Sequence, residues 1–195
     1  FIPFGVDTKF WNDDQETFNN NNKEFILFIG NDSKREFNKV VEISKILKNH
    51  KFIFVTTNIN DKDIGKNVEL INGSWNKLLL TDNEIKEIYT KGTLTILPLK
   101  NTFQPSGQSV ALQSMAMGVP VLITKTKGFW DFKSFINNQN IFFIESNSVS
   151  KWAELIESLI QNEELLNKVS TNGKKLVHEN FTSQMFNLEL HKLIQ

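Results

Sequence analysis

Two short stretches of this sequence have the residue types and spacing to hold an anion. The first is Gly30-Asn31-Asp32-Ser33-Lys34-Arg35, which follows an apolar run and precedes a helical pattern; Arg35 is the single arginine in a chain with 22 basic residues. A planar guanidinium, a neighbouring ammonium and free amides at a helix start together suit a phosphate, and Gly30 allows close backbone approach. The turn is neither a Gly-x-Gly-x-x-Gly fingerprint nor a P-loop. A Lys-Arg pair at such a place also fits a solvated surface pair. The second stretch is Pro105-Ser106-Gly107-Gln108-Ser109, which opens a helix expected over residues 106–117. Ser106, Ser109 and Gln113 then fall on one helix face, while Val110, Leu112, Met115 and Ala116 are left to pack. Ordinary N-terminal capping serines would give the same pattern.

Other chemistries find less support. With no cysteine there is no thiol nucleophile, disulfide or zinc-thiolate site, and three scattered histidines make no metal cluster, so no metal site is expected. His50, His178 and His191 fall on helix ends or faces. Asp131 follows an expected strand and can either reach a cleft or cap a turn, and no pair of residues reads as a general acid and base. Twenty-two acidic residues balance the 22 basic ones, so the diffuse positive field of a nucleic-acid binder is missing and any anion site must be local. No apolar run reaches the roughly 18 to 20 residues of a membrane span, and no signal peptide is recognisable, so the chain reads as soluble.

A scaffold must bring the two stretches together. The 195 residues, 39% of them hydrophobic, suffice for one domain with a real core. The chain starts Phe1-Ile2-Pro3 without Met and is expected to be part of something longer; residues 1–24, Asn-rich and polar from 12 onward, read as an interdomain segment and linker, and 25–195 as the domain. Continuous apolar runs at 25–29, 51–56, 68–71, 94–98, 121–124 and 141–144 read as strands buried on both faces. Between and after them, 34–48, 83–91, 106–117, 151–161, 163–178 and 184–193 read as helices. Alternating strands and helices of this kind predict an α/β fold, a doubly wound, Rossmann-like parallel sheet whose ligands bind where the strands end.

Several segments, in order, carry a resemblance: Ile2-Pro3-Phe4-Gly5-Val6-Asp7; Phe28-Ile29-Gly30 with Arg35; Ile88-Tyr89 through Leu97-Pro98-Leu99; and Pro105-Ser106-Gly107-Gln108-Ser109 to Ala116-Met117-Gly118-Val119-Pro120-Val121. Over nearly the whole chain the sequence resembles the carboxyl-terminal domain of GT-B fold glycosyltransferases of the retaining family 4 type, the last segment being the most specific. The resemblance implies the donor-binding half of a hexosyl-type transferase, a fragment inactive alone, with the acceptor half in an absent amino-terminal domain. It further implies a nucleotide-diphosphate sugar such as a UDP- or GDP-sugar as donor, a sugar or glycoconjugate acceptor, no other cofactor and no metal. The setting it implies is polysaccharide or glycoconjugate biosynthesis in the cytoplasm, at the inner face of the membrane, with any membrane association made through the absent domain.

Roles follow from the same resemblance. The diphosphate is expected between Lys34 and Arg35 on one side and the amides of Ser106, Gly107, Gln108 and Ser109 on the other, close to Gly30 and Asn31. The base is expected against the loop around Trp75 to Leu79, where Trp75 can stack on it or pack under the loop. Arg35 and Gln108 are the candidates to act at the reacting bond. The family carries two glutamates seven residues apart, and this sequence departs from both. Gln113 stands where the ribose-binding glutamate is expected; it can still accept from one hydroxyl but lacks a carboxylate's charge. Pro105 stands at the other, with no side-chain hydrogen bond to offer. Two further readings remain: a nucleotide-sugar-binding module that has lost catalysis, and a sugar-nucleotide epimerase of the same fold, for which no convincing acid and base appear.

Overall fold

The computed structural model describes residues 3–13, 23–73, 79–146 and 148–194. Within them the strands β1 (Phe25–Ile29), β2 (Phe52–Val55), β3 (Val68–Ile71), β4 (Gly92–Leu97), β5 (Val121–Thr124) and β6 (Phe142–Ile144) form one sheet. Every pairing is parallel and the spatial order is β3-β2-β1-β4-β5-β6. The helices are α1 (Phe37–Ile46), α2 (Asp82–Lys91), α3 (Gln108–Ala116), α4 (Val149–Gln161), α5 (Glu163–Asn180) and α6 (Ser183–Ile194). The doubly wound sheet expected from the sequence is the one observed.

The apolar runs are continuous because both faces of the sheet are covered. Along β1, Phe25, Leu27 and Ile29 pack on one face with Val110, Leu112 and Met115 of α3 and Tyr89 of α2. Ile26 and Phe28 pack on the other with Val40 and Ile43 of α1 and Trp152 and Ile156 of α4. Ser114 anchors α3 to the sheet, its Oγ lying 2.7 Å from Thr95 Oγ1 of β4 and 3.1 Å from the Val119 carbonyl, all of it buried.

The strand order decides where a ligand can go. From β1 the chain winds outward through β2 and β3, then returns to the other side of β1 and winds through β4, β5 and β6. The connections leaving β1 and β4 therefore diverge to opposite faces, and a crevice opens between them at the carboxyl edge.

Three of the differences from expectation have a visible cause. Helix α1 begins at Phe37, not at Lys34, because Arg35 forms an antiparallel bridge with Leu99, the Glu36 amide donates to the Pro98 carbonyl (2.9 Å) and the Lys100 amide to the Lys34 carbonyl (2.8 Å). Helix α3 begins at Gln108, because Gly107 takes a left-handed φ of 82° and closes the preceding turn. Part of the segment read as a linker is packed on the domain: Val6 pairs with Thr182, Trp11 is buried edge-on against Tyr89, and Asp13 Oδ1 meets Lys174 Nζ at 2.6 Å.

Candidate functional site

The two sequence stretches meet at the crevice, and Arg35 is the residue on which they converge. Its side chain is only 3% exposed, so it is no solvated surface cation. Gly30 lies close against the Nε end of the guanidinium and Gly107 close against Nη1. A Cβ added to Gly107 would sit 2.8 Å from Arg35 Nη1, and one added to Gly30 would overlap Nε. Both glycines also have positive φ, 152° and 82°, where a side chain would be strained. Two glycines without side chains thus make room for the cation in its slot.

The slot leaves that cation under-satisfied. Arg35 Nε lies 3.1 Å from Asp32 Oδ2, an ion pair without the alignment of a hydrogen bond, and neither Nε nor Nη1 has a hydrogen-bond partner among the described residues. Burial lowers the guanidinium pKa from its ordinary value, while Asp32 and, more weakly, Tyr89 raise it again. Arginine nevertheless stays protonated, and a buried charge with unmade bonds is costly. An incoming anion would remove that cost.

Asp32 ties the turns together. Its Oδ1 accepts from Ser106 Oγ of the second turn (2.9 Å) and from the Lys34 amide of the first (3.0 Å), while Lys100 Nζ donates to the Ser33 carbonyl (2.9 Å). Two hollows flank this junction and share Asp32 and Ser109. One, of about 350 Å³, is walled by Phe4, Ser33, Lys34 and the run from Gln104 to Ser109. The other, of about 380 Å³ and more apolar, is walled by Trp11, Asn31, Arg35, Gly73, Leu80, Ile85 and Gln113, among others. An elongated ligand lying across Asp32 would have its charged middle beside Arg35 and one end against apolar surface.

The expected site residues are distributed as follows. Lys34, Ser106, Gly107 and Gln108 line the first hollow, Gly30, Asn31, Arg35 and Gln113 the second, and Ser109 both. Ser106 does not share a helix face with Ser109 and Gln113, since it precedes α3. The Asn31 side chain is engaged within the protein: Nδ2 donates to the Gly73 carbonyl, and Oδ1 accepts from Thr56 Oγ1 (2.9 Å) and the Thr57 amide (2.7 Å). It joins the ends of β1, β2 and β3, so its contribution to the crevice is to position these ends. Trp75 falls outside the described residues, and of the loop expected to meet a base only Leu79 lies within them. Asp131 Oδ1 caps its own turn through the Lys133 and Ser134 amides (2.9 and 3.1 Å). His50 Nε2 pairs with Glu157, His178 Nε2 lies 3.1 Å from the Ala116 carbonyl, and His191 sits on α6; none lines either hollow.

The sequence reading passed over Asp32 and the wall formed by Trp11, Gly73, Leu80 and Ile85. Asp32 did leave a signal, because an aspartate two residues before an amide-rich turn is a common Asx-turn former. The wall left none, since Trp11 lies more than sixty positions before Gly73, Leu80 and Ile85 in the chain. Among the described residues there is no group of three or more acidic or histidine side chains able to hold a metal, and no helix long and apolar enough to cross a membrane.

Sheet order and crevice together define a Rossmann-like α/β domain with a buried guanidinium at its switch point. Residues 9–176 match the family described as glycosyl transferases group 1. The chain belongs to that family. It is 33% identical over 85 residues to the capsular polysaccharide biosynthesis glycosyltransferase CapM of Staphylococcus aureus, a stretch that spans 44% of this chain and 22% of that protein. Its fold is similar to the C-terminal domain of the group 1 glycosyl transferase LpcC of Francisella tularensis (TM-score 0.69, 19% identity), covering 92% of this chain and all of that one. It is also similar to HepE of Anabaena, solved in complex with UDP and glucose (TM-score 0.73, 13% identity), covering 97% of this chain and 55% of that one. The architecture is that of the carboxyl-terminal half of the GT-B fold, and the chain spans about half the length of that Anabaena protein.

Proposed function

We propose that this chain is the donor-binding domain of a glycosyltransferase of the retaining family 4 type, and that it holds a nucleotide-diphosphate sugar across the crevice. The acceptor, a sugar or glycoconjugate of polysaccharide assembly at the inner face of the membrane, binds on a separate amino-terminal domain. The observation that carries this reading is the buried, under-bonded Arg35 facing the two turns that share Asp32. The diphosphate lies against Arg35, Lys34 and the amides from Ser106 to Ser109; the ribose lies by Gln113, and the base against Gly73, Leu80 and Ile85. The donor sugar occupies the hollow lined by Gln108. In transfer, an acceptor hydroxyl oxygen bonds to the anomeric carbon and gives up its proton to the departing diphosphate or to water. The bond from that carbon to the diphosphate oxygen breaks, and the charge left on the diphosphate falls where the fixed cations stand. UDP-bound HepE supports the donor class, and CapM the polysaccharide setting.

Calorimetric titration with uridine, guanosine, adenosine and thymidine diphosphates tests the reading. At least one is expected to bind, with equal affinity in EDTA and in magnesium, because Arg35, Lys34 and the helix amides neutralise the diphosphate. Binding of none overturns it, and dependence on a divalent cation overturns this account of the charge. A module that kept the fold but lost catalysis, a reading favoured by Pro105 and Gln113, would bind as well. Full-length protein that binds a donor yet neither hydrolyses nor transfers it would favour the module. Gln113→Ala is expected to weaken ribonucleotides by about 0.5 to 1.5 kcal/mol, while leaving inorganic pyrophosphate unchanged in the same titration.

A further inference from the structure

Asp32 is a carboxylate placed where an anionic ligand would be expected to find only positive charge. It lines both hollows, sits 3.1 Å from Arg35 Nε through Oδ2 and bonds Ser106 through Oδ1. Its side chain is 45% exposed, whereas Arg35 is enclosed, so of the two partners only Asp32 can leave. The pair is also poorly made, with Nε misaligned and Nη1 without an acceptor, so a diphosphate with several well-placed oxygens would bond the guanidinium better. We infer that Asp32 is a resident competing anion, which holds Arg35 in the empty crevice and is displaced from it by the diphosphate of the ligand.

The inference rests on the donor-site reading above and adds a residue that sets the strength of anion binding. Displacement breaks the Asp32–Arg35 pair, and the carboxylate then remains within a side-chain's length of the phosphates. Both effects weaken binding, and the second grows with ligand charge. A free nucleoside diphosphate carries more charge than the diester of a nucleotide sugar, since its terminal phosphate can ionise a second time. Asp32 therefore disfavours the leaving nucleotide more than the donor and favours its release after transfer.

The variant Asp32→Asn separates charge from structure, because Asn keeps an Oδ1 acceptor for Ser106 and the Lys34 amide. Probes are inorganic pyrophosphate, whichever of the four nucleoside diphosphates binds most tightly, and its parent nucleoside, all by calorimetry. In D32N the two anions are expected to bind about tenfold more tightly, and the nucleoside unchanged. Equal or weaker anion binding in D32N, or equal tightening of the nucleoside, overturns the inference while leaving the donor reading intact. Binding of none of the nucleoside diphosphates by either form overturns both. A crystal structure of the wild-type complex supplies a measurement independent of the variant: Asp32 Oδ2 is expected beyond ion-pair distance from Arg35 Nε, and an unbroken pair overturns the inference.

Discussion

Replacing Arg35 by alanine is expected to weaken nucleoside diphosphate binding by about 1.5 to 3 kcal/mol and to leave the parent nucleoside nearly unaffected. The guanidinium is desolvated by the fold itself, so a ligand meets a cation already stripped of water, with Nη1 lacking any acceptor among the described residues. Charge-assisted bonds formed at such a site are stronger than those formed by an exposed lysine. The loss should appear chiefly in the diphosphate part of the ligand. The folded state should lose little, because the variant removes a costly buried charge along with its packing. Calorimetry with nucleoside and nucleoside diphosphate checks the first expectation, and urea denaturation the second. An equal loss for both ligands would place Arg35 away from the phosphates.

Gly107→Val is expected to damage both folding and binding. The native φ of 82° is unfavourable for any residue with a Cβ, and that Cβ would lie 2.8 Å from Arg35 Nη1 before the two methyl groups are added. Strain and overpacking together should lower stability by about 2 to 4 kcal/mol. Gly30 already packs close against the guanidinium, so room for it to shift is short and the valine is expected to push it out of its slot. Nucleoside diphosphate affinity should then fall to the level of Arg35→Ala. Because an unfolded variant would also lose binding, the comparison is made well below the midpoint of a thermal melt. A stable Gly107→Val protein with unchanged affinity would show that the slot is not part of the site.

How much of this was legible in the sequence depends on how local the determining forces are. The strands were, because burial on both faces makes each a continuous apolar run, as in Phe25-Ile26-Leu27-Phe28-Ile29. The start of α1 was not, because residues 34–36 are claimed by bonds to Pro98, Leu99 and Lys100, which lie more than sixty positions away in the chain. The two candidate anion-binding stretches could be read from Arg35 and the small residues near Gly107. Their convergence is legible only through the doubly wound strand order and the family resemblance, and the structure bears it out: Ser106 of one turn bonds Asp32 of the other. Asn31, expected beside a ligand, does line the second hollow, but its amide is engaged by Thr56, Thr57 and Gly73, and nothing in the local sequence announces those partners. Asp32 escaped attention for an electrostatic reason: a carboxylate looks out of place at a phosphate site until Arg35 is seen to be buried beside it.

The short ribbon in which the Glu36 and Lys100 amides bond the Pro98 and Lys34 carbonyls bears on kinetics as well as geometry. It fixes the mouth width between the turns before any ligand arrives, so little conformational entropy remains to be lost on association. On the donor-site proposal, nucleotide capture is then a docking onto a rigid rim rather than the slow ordering of a floppy loop, and its on-rate should follow diffusion and ionic strength. Amide hydrogens of this ribbon should accordingly be protected from solvent exchange to nearly the same degree with the crevice empty or filled.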